Sequence, residues 1–351
     1  MTVGLEPYQL RSFLLLSAVG ALLEKNRFAP VKAEAEGIRR QKGLLCEIRG
    51  RAEWHDVDDV YAFMAPMPFG ETLRLCMQAR FFDRRISKPH MREFIGIMKD
   101  VGEVYLNQRF LDAHAMEKHR DQGIFFAMNG FTPEAEHLGA AHGIQTISYA
   151  DQPLMGPIAS DIVRLSSLIL ETVSFHDHGE IHAFLRQLRH QAASGDEQLA
   201  ARMRARYGEE LGERMRMLHA HLSEIKTSLI ATAKGGTYLH VLSVSAFPLD
   251  QFLHTDEGSC QIHMEKHGRR RHYYFTVNDT SARFYFTCPA YLNVGRLLGT
   301  AAVQQQSLFA QEPHDQDFCS CVSAMRASCA FCGFRSIPAC GWIDAPAAVK
   351  G

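Results

Sequence analysis

The sequence has no apolar run long enough to cross a bilayer. The longest near its start, residues 13–23, is about half the roughly 20 residues a spanning helix needs, and Ser17 and Gly20 interrupt it. No basic stretch precedes it and no clear small-residue cleavage motif follows, so it reads as a helix of a soluble protein rather than a secretory leader. Charge excess of either sign is missing too: 38 Lys and Arg face 39 Asp and Glu, a net charge of −1. A global polyanion-binding surface is thereby excluded, and any nucleic-acid surface must be local. Internal repeats, low-complexity tracts and long linkers are also absent.

What is present is the material of a folded protein. Hydrophobic residues make up 46% and charged residues 22%, and 351 residues allow two or three domains at about 100–200 residues each. Five of the nine cysteines crowd into positions 319–340. That spacing suits intracellular thiols or a metal better than a disulfide framework, and a cytoplasmic setting is expected.

Apolar residues recur at helical spacing through residues 10–26 (Phe13, Leu16, Val19, Leu22, Leu23), which predicts a helix ending before Phe28-Ala-Pro30. Residues 44–49 and 57–63 read as short strands around a polar turn, and Ala65-Pro-Met-Pro-Phe-Gly70 as punctuation before a buried strand at 73–77. Pro89 opens a helix whose face carries Met91, Phe94, Ile95, Met98 and Val101. Gly123-Ile-Phe-Phe-Ala-Met128 is continuous enough for a strand buried on both faces; Thr132-Pro133-Glu134 starts a helix, Gly143 closes it, and a strand follows at 144–149. Strand, helix, strand, helix, strand in that order implies an α/β core.

Beyond Asp151 the texture changes. Residues 160–189 and 198–230 read as an antiparallel helical hairpin, and from Tyr238 strands return, with 271–277 and 283–288 forming a β-hairpin. The expected class is α/β, mixed α+β overall: an αβ core over residues 1–155, a helical segment over 156–232, and a C-terminal mixed β region of unassigned role over 233–351.

Two clusters carry chemistry. His55-Asp-Val-Asp58-Asp59 stands at the mouth of one strand, and Gln78-Ala-Arg80 ends the next. Neighbouring strands lie about 4.8 Å apart, so residues at matching heights can share one ion. A hard divalent cation takes carboxylate oxygens, waters and substrate phosphates, and would hold attacking water and scissile phosphate together.

Set in order, Glu47-Ile-Arg-Gly-Arg51, His55-x-x-Asp58, Leu73-Arg-Leu-Cys-Met-Gln78-Ala-Arg80, Arg92-Glu-Phe-Ile-Gly96 with Lys99-Asp100, and Gly123-Ile-Phe-Phe-Ala-Met-Asn-Gly-Phe-Thr132 followed by Ala140-Ala-His-Gly-Ile144 resemble the Mrr-like branch of the PD-(D/E)xK, restriction-endonuclease-like superfamily. The resemblance covers about residues 10–150. It implies a Mg²⁺-dependent endonuclease, with Mn²⁺ as substitute, cutting phosphodiester bonds of DNA foremost, in bacterial anti-phage defence. Asp58 matches the metal-binding acid, Gln78 the family's Glu or Gln and second metal ligand, and Arg80 its Lys. Arg80 departs from the pattern: a guanidinium cannot take a proton from water, although it clamps phosphate well. Gln78 offers a neutral carbonyl rather than a carboxylate. The competing expectation is therefore a catalytically degenerate nuclease fold that binds nucleic acid or serves as a scaffold in a defence complex. The usual first-helix acid has no match, since Glu24 falls about one and a half turns late, and Glu47 is a further candidate ligand.

Other features have plainer alternatives. Cys319, Cys321, Cys329, Cys332 and Cys340 with His314 could bind Zn²⁺, yet the surrounding Ala, Phe, Ile and Trp favour buried free thiols. The run Lys266-His-Gly-Arg-Arg-Arg-His272 beside Tyr273 and Tyr274 could meet nucleic acid, but reads first as a charged edge that resists strand pairing. Arg39 and Arg40 could touch phosphate, with a solvated loop as default. Met203, Leu211, Met215 and Leu218 read as core. No membrane partner is expected; cutting both strands would favour a symmetric homo-oligomer.

Overall fold

Helix α1 (Pro7–Glu24) runs through the middle of the molecule rather than along its surface. Pro7 starts it, and Leu10, Leu14, Leu15, Val19, Leu22 and Leu23 are all at or below 1% exposure. A helix apolar on nearly every side belongs inside a core, which accounts for the run at 13–23. Its two buried serines both have partners: Ser17 Oγ donates to Phe13 O at 2.9 Å, and Ser12 Oγ accepts from Phe81 N at 3.0 Å. The computed structural model describes residues 5–32, 37–40, 46–51, 53–64, 72–108, 119–233, 236–247, 260–268, 270–277 and 281–291. The cysteine-rich segment 319–340 lies outside the described residues.

The first sheet packs against α1. It has five strands in the order β1 (Phe28–Pro30), β5 (Asp59–Phe63), β6 (Thr72–Arg80), β7 (His119–Ala127) and β8 (Gln145–Ser148). β1, β5 and β6 run antiparallel, whereas β6, β7 and β8 run parallel, linked by helices α2 (Lys88–Gln108) and α3 (Pro133–Ala141). Thr132 caps α3 by accepting from Ala135 N, and Pro133 fills its first turn.

Side-chain alternation sorts the two faces of this sheet. Leu75, Met77, Ala79, Ile124 and Phe126 join the core around α1, while Cys76, Phe125 and Ala127 join Phe94 of α2 and Ala135 of α3. The second core also receives Ile38, Cys46, Ile48 and Val57 from a small sheet of β2 (Ile38–Arg40), β3 (Cys46–Arg49) and β4 (Trp54–Val57). Residues 57–63, expected as one strand, are thus divided. The chain pairs with β3 up to Val57, bends at Asp58 and pairs with β6 from Asp59 onward. The bend is held by Asp58 N donating to Met77 O at 3.0 Å.

In place of a helical hairpin there are four helices: α4 (Met155–Thr172), α5 (His178–Ser194), α6 (Glu197–Tyr207) and α7 (Glu209–Glu224). Three short breaks separate them. The backbone turns extended at Val173 and Asp177 caps the next helix; Gly195 at φ 61° supplies the left-handed terminus of α5; Gly208 ends α6. The break at Gly195 falls in the expected gap between 189 and 198, whereas those at Val173 and Gly208 lie inside stretches that read as single helices. Met155, Ile162, Leu188, Met203, Met215 and Leu218 all bury in the core that contains α1.

Residues within 156–232 also include a strand. β9 (Thr227–Thr232) pairs along its full length with β10 (Tyr238–Ser243), so it belongs to the C-terminal sheet. β11 (Cys260–His267), β12 (Arg270–Val277) and β13 (Phe284–Phe286) complete it, in the order β11-β12-β13-β10-β9. The overall class is mixed α/β, with seven helices and three sheets among the described residues. No described helix is long and apolar enough to cross a membrane.

The C-terminal sheet docks on β8. Tyr238 N donates to Gln145 Oε1 at 2.8 Å, and Ala290 N to Glu136 Oε2 at 2.6 Å. Between them His240 is fully enclosed, with Nδ1 at 2.7 Å from Tyr149 Oη and Nε2 at 2.8 Å from Ser228 Oγ.

Candidate functional site

Asp58 and Arg80 meet at the junction of β5 and β6. Antiparallel register places Asp59 opposite Met77, and by the same register Asp58 falls opposite Gln78. Because β6 alternates, Gln78 and Arg80 share the face turned from α1, two residues apart, about 6.6 Å along the strand. Asp58 Oδ2 accepts from Ala79 N at 2.7 Å and from Arg80 Nη1 at 2.5 Å. The same Nη1 also donates to Ala79 O at 2.9 Å.

A guanidinium nitrogen therefore lies between a carboxylate oxygen and a backbone carbonyl. Burial raises the Asp58 carboxyl above its usual range, against the downward pull of Arg80 and of the Ala79 amide. The Arg80 side chain stays 26% exposed, and its Nε and Nη2 bond to none of the described residues. Gln78 is nearly buried at 6%, and its amide bonds to none of the described residues.

The other acids of the run face elsewhere. Asp56 lies exposed on the small sheet, opposite Glu47, whose carboxylate receives Arg39. Both sit on the face turned from Cys46, Ile48 and Val57, which removes Glu47 from the Asp58 cluster. His55 Nε2 is 2.7 Å from Asp100 Oδ2 on α2, and its hydrogen bond holds the Asp100 carboxyl below the usual range. It fastens β4 to α2 rather than reaching Asp58.

Asp59 turns to the α1 side and is wholly enclosed. Arg40 Nη2 donates to its Oδ1 at 2.6 Å, Arg189 Nη2 donates to its Oδ2, and Arg189 also reaches Tyr61 Oη at 2.9 Å. Arg40 is thus not a solvated loop cation, and Arg189 is a residue that sequence reading missed altogether. Nothing near Arg189 in sequence marks it. Glu24 belongs to this neighbourhood: burial raises its carboxyl, with Arg189 pulling it down and Asp59 pushing it up.

A divalent ion does not fit the site in this arrangement. Its donors would be one carboxylate, the neutral Gln78 amide and the Ala79 carbonyl, and Arg80 already places positive charge between two of the three. Among the described residues, no group of three or more His, Cys, Asp or Glu could hold a metal.

No family model and no curated protein matches the chain. Among solved structures, it is similar to the crystal structure of the protein of unknown function AF1548, at 14% identity and a TM-score of 0.30, over 60% of this chain and 97% of that one. A likeness at that level establishes neither a shared fold nor a function.

Proposed function

We propose that this chain is a nuclease-fold protein that binds the sugar–phosphate backbone of nucleic acid, DNA foremost, through Arg80, without relying on a metal ion. One observation carries the reading: Asp58 and the Ala79 carbonyl fix Nη1 of Arg80, while its Nε and Nη2 bond to none of the described residues and the side chain is a quarter exposed. A planar fork held by one edge is preorganised to take a phosphate on the other. Asp58 is then a positioning carboxylate and Arg80 the contact. The defence setting that the resemblance implies gives such a protein a place as the recognition subunit of a complex or homo-oligomer.

Hydrolysis by Asp58, Gln78 and Arg80 with Mg²⁺ or Mn²⁺ is the second reading. The unengaged Gln78 amide on the same face favours it. It would require Arg80 to leave Asp58.

The test uses the purified full chain with labelled duplex and single-stranded oligonucleotides, in EDTA and in Mg²⁺ or Mn²⁺. Binding that persists in EDTA and weakens about tenfold or more in Arg80→Ala supports the proposal, since hydrogen bonds to charged groups contribute about 1.5–3 kcal/mol. Metal-dependent cutting that disappears in Asp58→Ala would replace it with the hydrolytic reading.

A further inference from the structure

Helices α5 and α6 border an open groove of about 590 Å³, remote in sequence from Asp58. Arg186 and His190 line it from α5, Arg202 and Arg206 from α6, and Tyr207 and Asp196 close its ends. The three arginines are exposed, and none makes an ion pair or hydrogen bond with a described residue; Arg206 lies over the Tyr207 ring. Neighbours behave differently. On α7, Arg214 and Arg216 pair with Glu210 and Glu213, and Arg204 of α6 packs over Gly212. The one acid present is already engaged: Asp196 Oδ1 caps α6 by accepting from Gln198 N at 2.9 Å and Leu199 N at 3.1 Å, and its Oδ2 is 3.8 Å from His190.

In a chain with net charge −1, three unpaired guanidinium groups along one groove form a local positive surface. Arg202 and Arg206 stand one helical turn apart, about 6 Å along the axis, a separation similar to that of consecutive phosphates on one strand. Arg186 faces them from the other wall. Arg206 lies 5.1 Å over the Tyr207 ring, which supports the guanidinium at the end of the groove.

We infer that the α5–α6 groove is a second contact for the phosphodiester backbone of nucleic acid, with Arg186, Arg202 and Arg206 each pairing with a phosphate. The inference rests on the reading of the chain as a nucleic-acid binder, and adds to it a surface that Arg80 does not share. Arg80 lies on the face of the first sheet turned from α1, whereas the groove lies among helices that share the core of α1, so the two are separate contacts.

The experiment measures the affinity of the full chain for a labelled oligonucleotide as a function of salt, for the wild type, Arg80→Ala, the triple variant Arg186→Ala/Arg202→Ala/Arg206→Ala, and the triple lysine variant. Only the Arg206 stack on Tyr207 is lost, so an unchanged circular dichroism spectrum and a Tm nearly that of the wild type are expected. The alanine triple should bind at least tenfold more weakly at about 0.1 M salt. Its slope of log K against log salt should fall by about 2–3, at about 0.9 per duplex phosphate released, and the lysine triple should keep that slope. A normal slope in the alanine triple with weakened Arg80→Ala would overturn the groove and leave the Arg80 reading standing. A reduced slope beside an unaffected Arg80→Ala would do the reverse. Wild-type binding to polyglutamate but not to oligonucleotide, lost in the alanine triple, would assign the groove to an acidic protein and end the proposal.

Discussion

Arg189 of α5 donates to the carboxylate of Asp59, a residue 130 positions earlier in the chain and adjacent to Asp58. Burial opposes the charge on Arg189, and Asp59 and Tyr61 more than offset it, so its pKa rises above the ordinary value. The helical segment thereby holds the start of β5, where the chain bends into the site. Breaking a buried pair from one side costs about 3–5 kcal/mol. Arg189→Ala should fall toward the lower end, because Arg40 still faces Asp59. Arg189→Lys should recover only part of the loss, since an ammonium does not reproduce the fork that reaches both Asp59 and Tyr61. Urea unfolding of the two variants measures both effects.

Gly20 is a second consequence of the same cluster. A Cβ there would stand 2.3 Å from Tyr61 Oη and 3.7 Å from Arg189 Nη2. Replacing glycine by alanine inside a helix ordinarily stabilises by about 1 kcal/mol. Here the opposite sign is expected, with a net loss of about 1–3 kcal/mol from overpacking, because Tyr61 is 1% exposed and cannot swing aside. An increase in the urea midpoint of Gly20→Ala would contradict the packing described.

His240 sets a pH dependence. Burial pushes its pKa down to about 3, so the ring is neutral in the folded protein throughout the range in which an unfolded histidine, at about 6.5, takes up a proton. The unfolded state then binds more protons, and stability falls as pH drops from about 6.5 toward 3. This residue contributes a slope of about 1.4 kcal/mol per pH unit in that window and none above it. His240→Gln, which keeps hydrogen-bonding groups for Tyr149 and Ser228, should flatten the dependence by one proton's worth in denaturation curves between pH 4 and 7.

Charge at the β5–β6 junction predicts metal behaviour. The wild-type site pairs one carboxylate with one guanidinium and should show no Mn²⁺ binding by calorimetry at millimolar metal. Gln78→Glu with Arg80→Lys adds a carboxylate and replaces the fork that spans Asp58 and Ala79 by a compact ammonium. Measurable Mn²⁺ binding, at least tenfold tighter than in the wild type and lost on adding Asp58→Ala, is expected. Tight binding by the wild type would show that Arg80 yields its place to an ion.

Local chemistry made much of the α/β order legible. The Thr132-Pro133 start of α3, the continuous strand through Phe125 and Phe126, and the face of α2 carrying Met91 and Phe94 are each written in a few consecutive residues. The meeting of Asp58 and Arg80 follows from their places on neighbouring strands, whereas Gln78, opposite Asp58 by register, makes no bond to it. The turn at Gly195 falls in the gap expected between 189 and 198; the breaks at Val173 and Gly208 were missed because there backbone geometry rather than burial ends each helix.

The chain by itself determined which segments turn helical or extended and which side chains seek the interior, because propensity, capping and apolar period act over a few neighbours. Folding alone decided that three acids within four residues would part, Asp56 to solvent, Asp58 to Arg80 and Asp59 to Arg40 and Arg189. A carboxylate takes whichever cation the packed backbone brings within about 3 Å, and that distance is set by elements far apart in sequence.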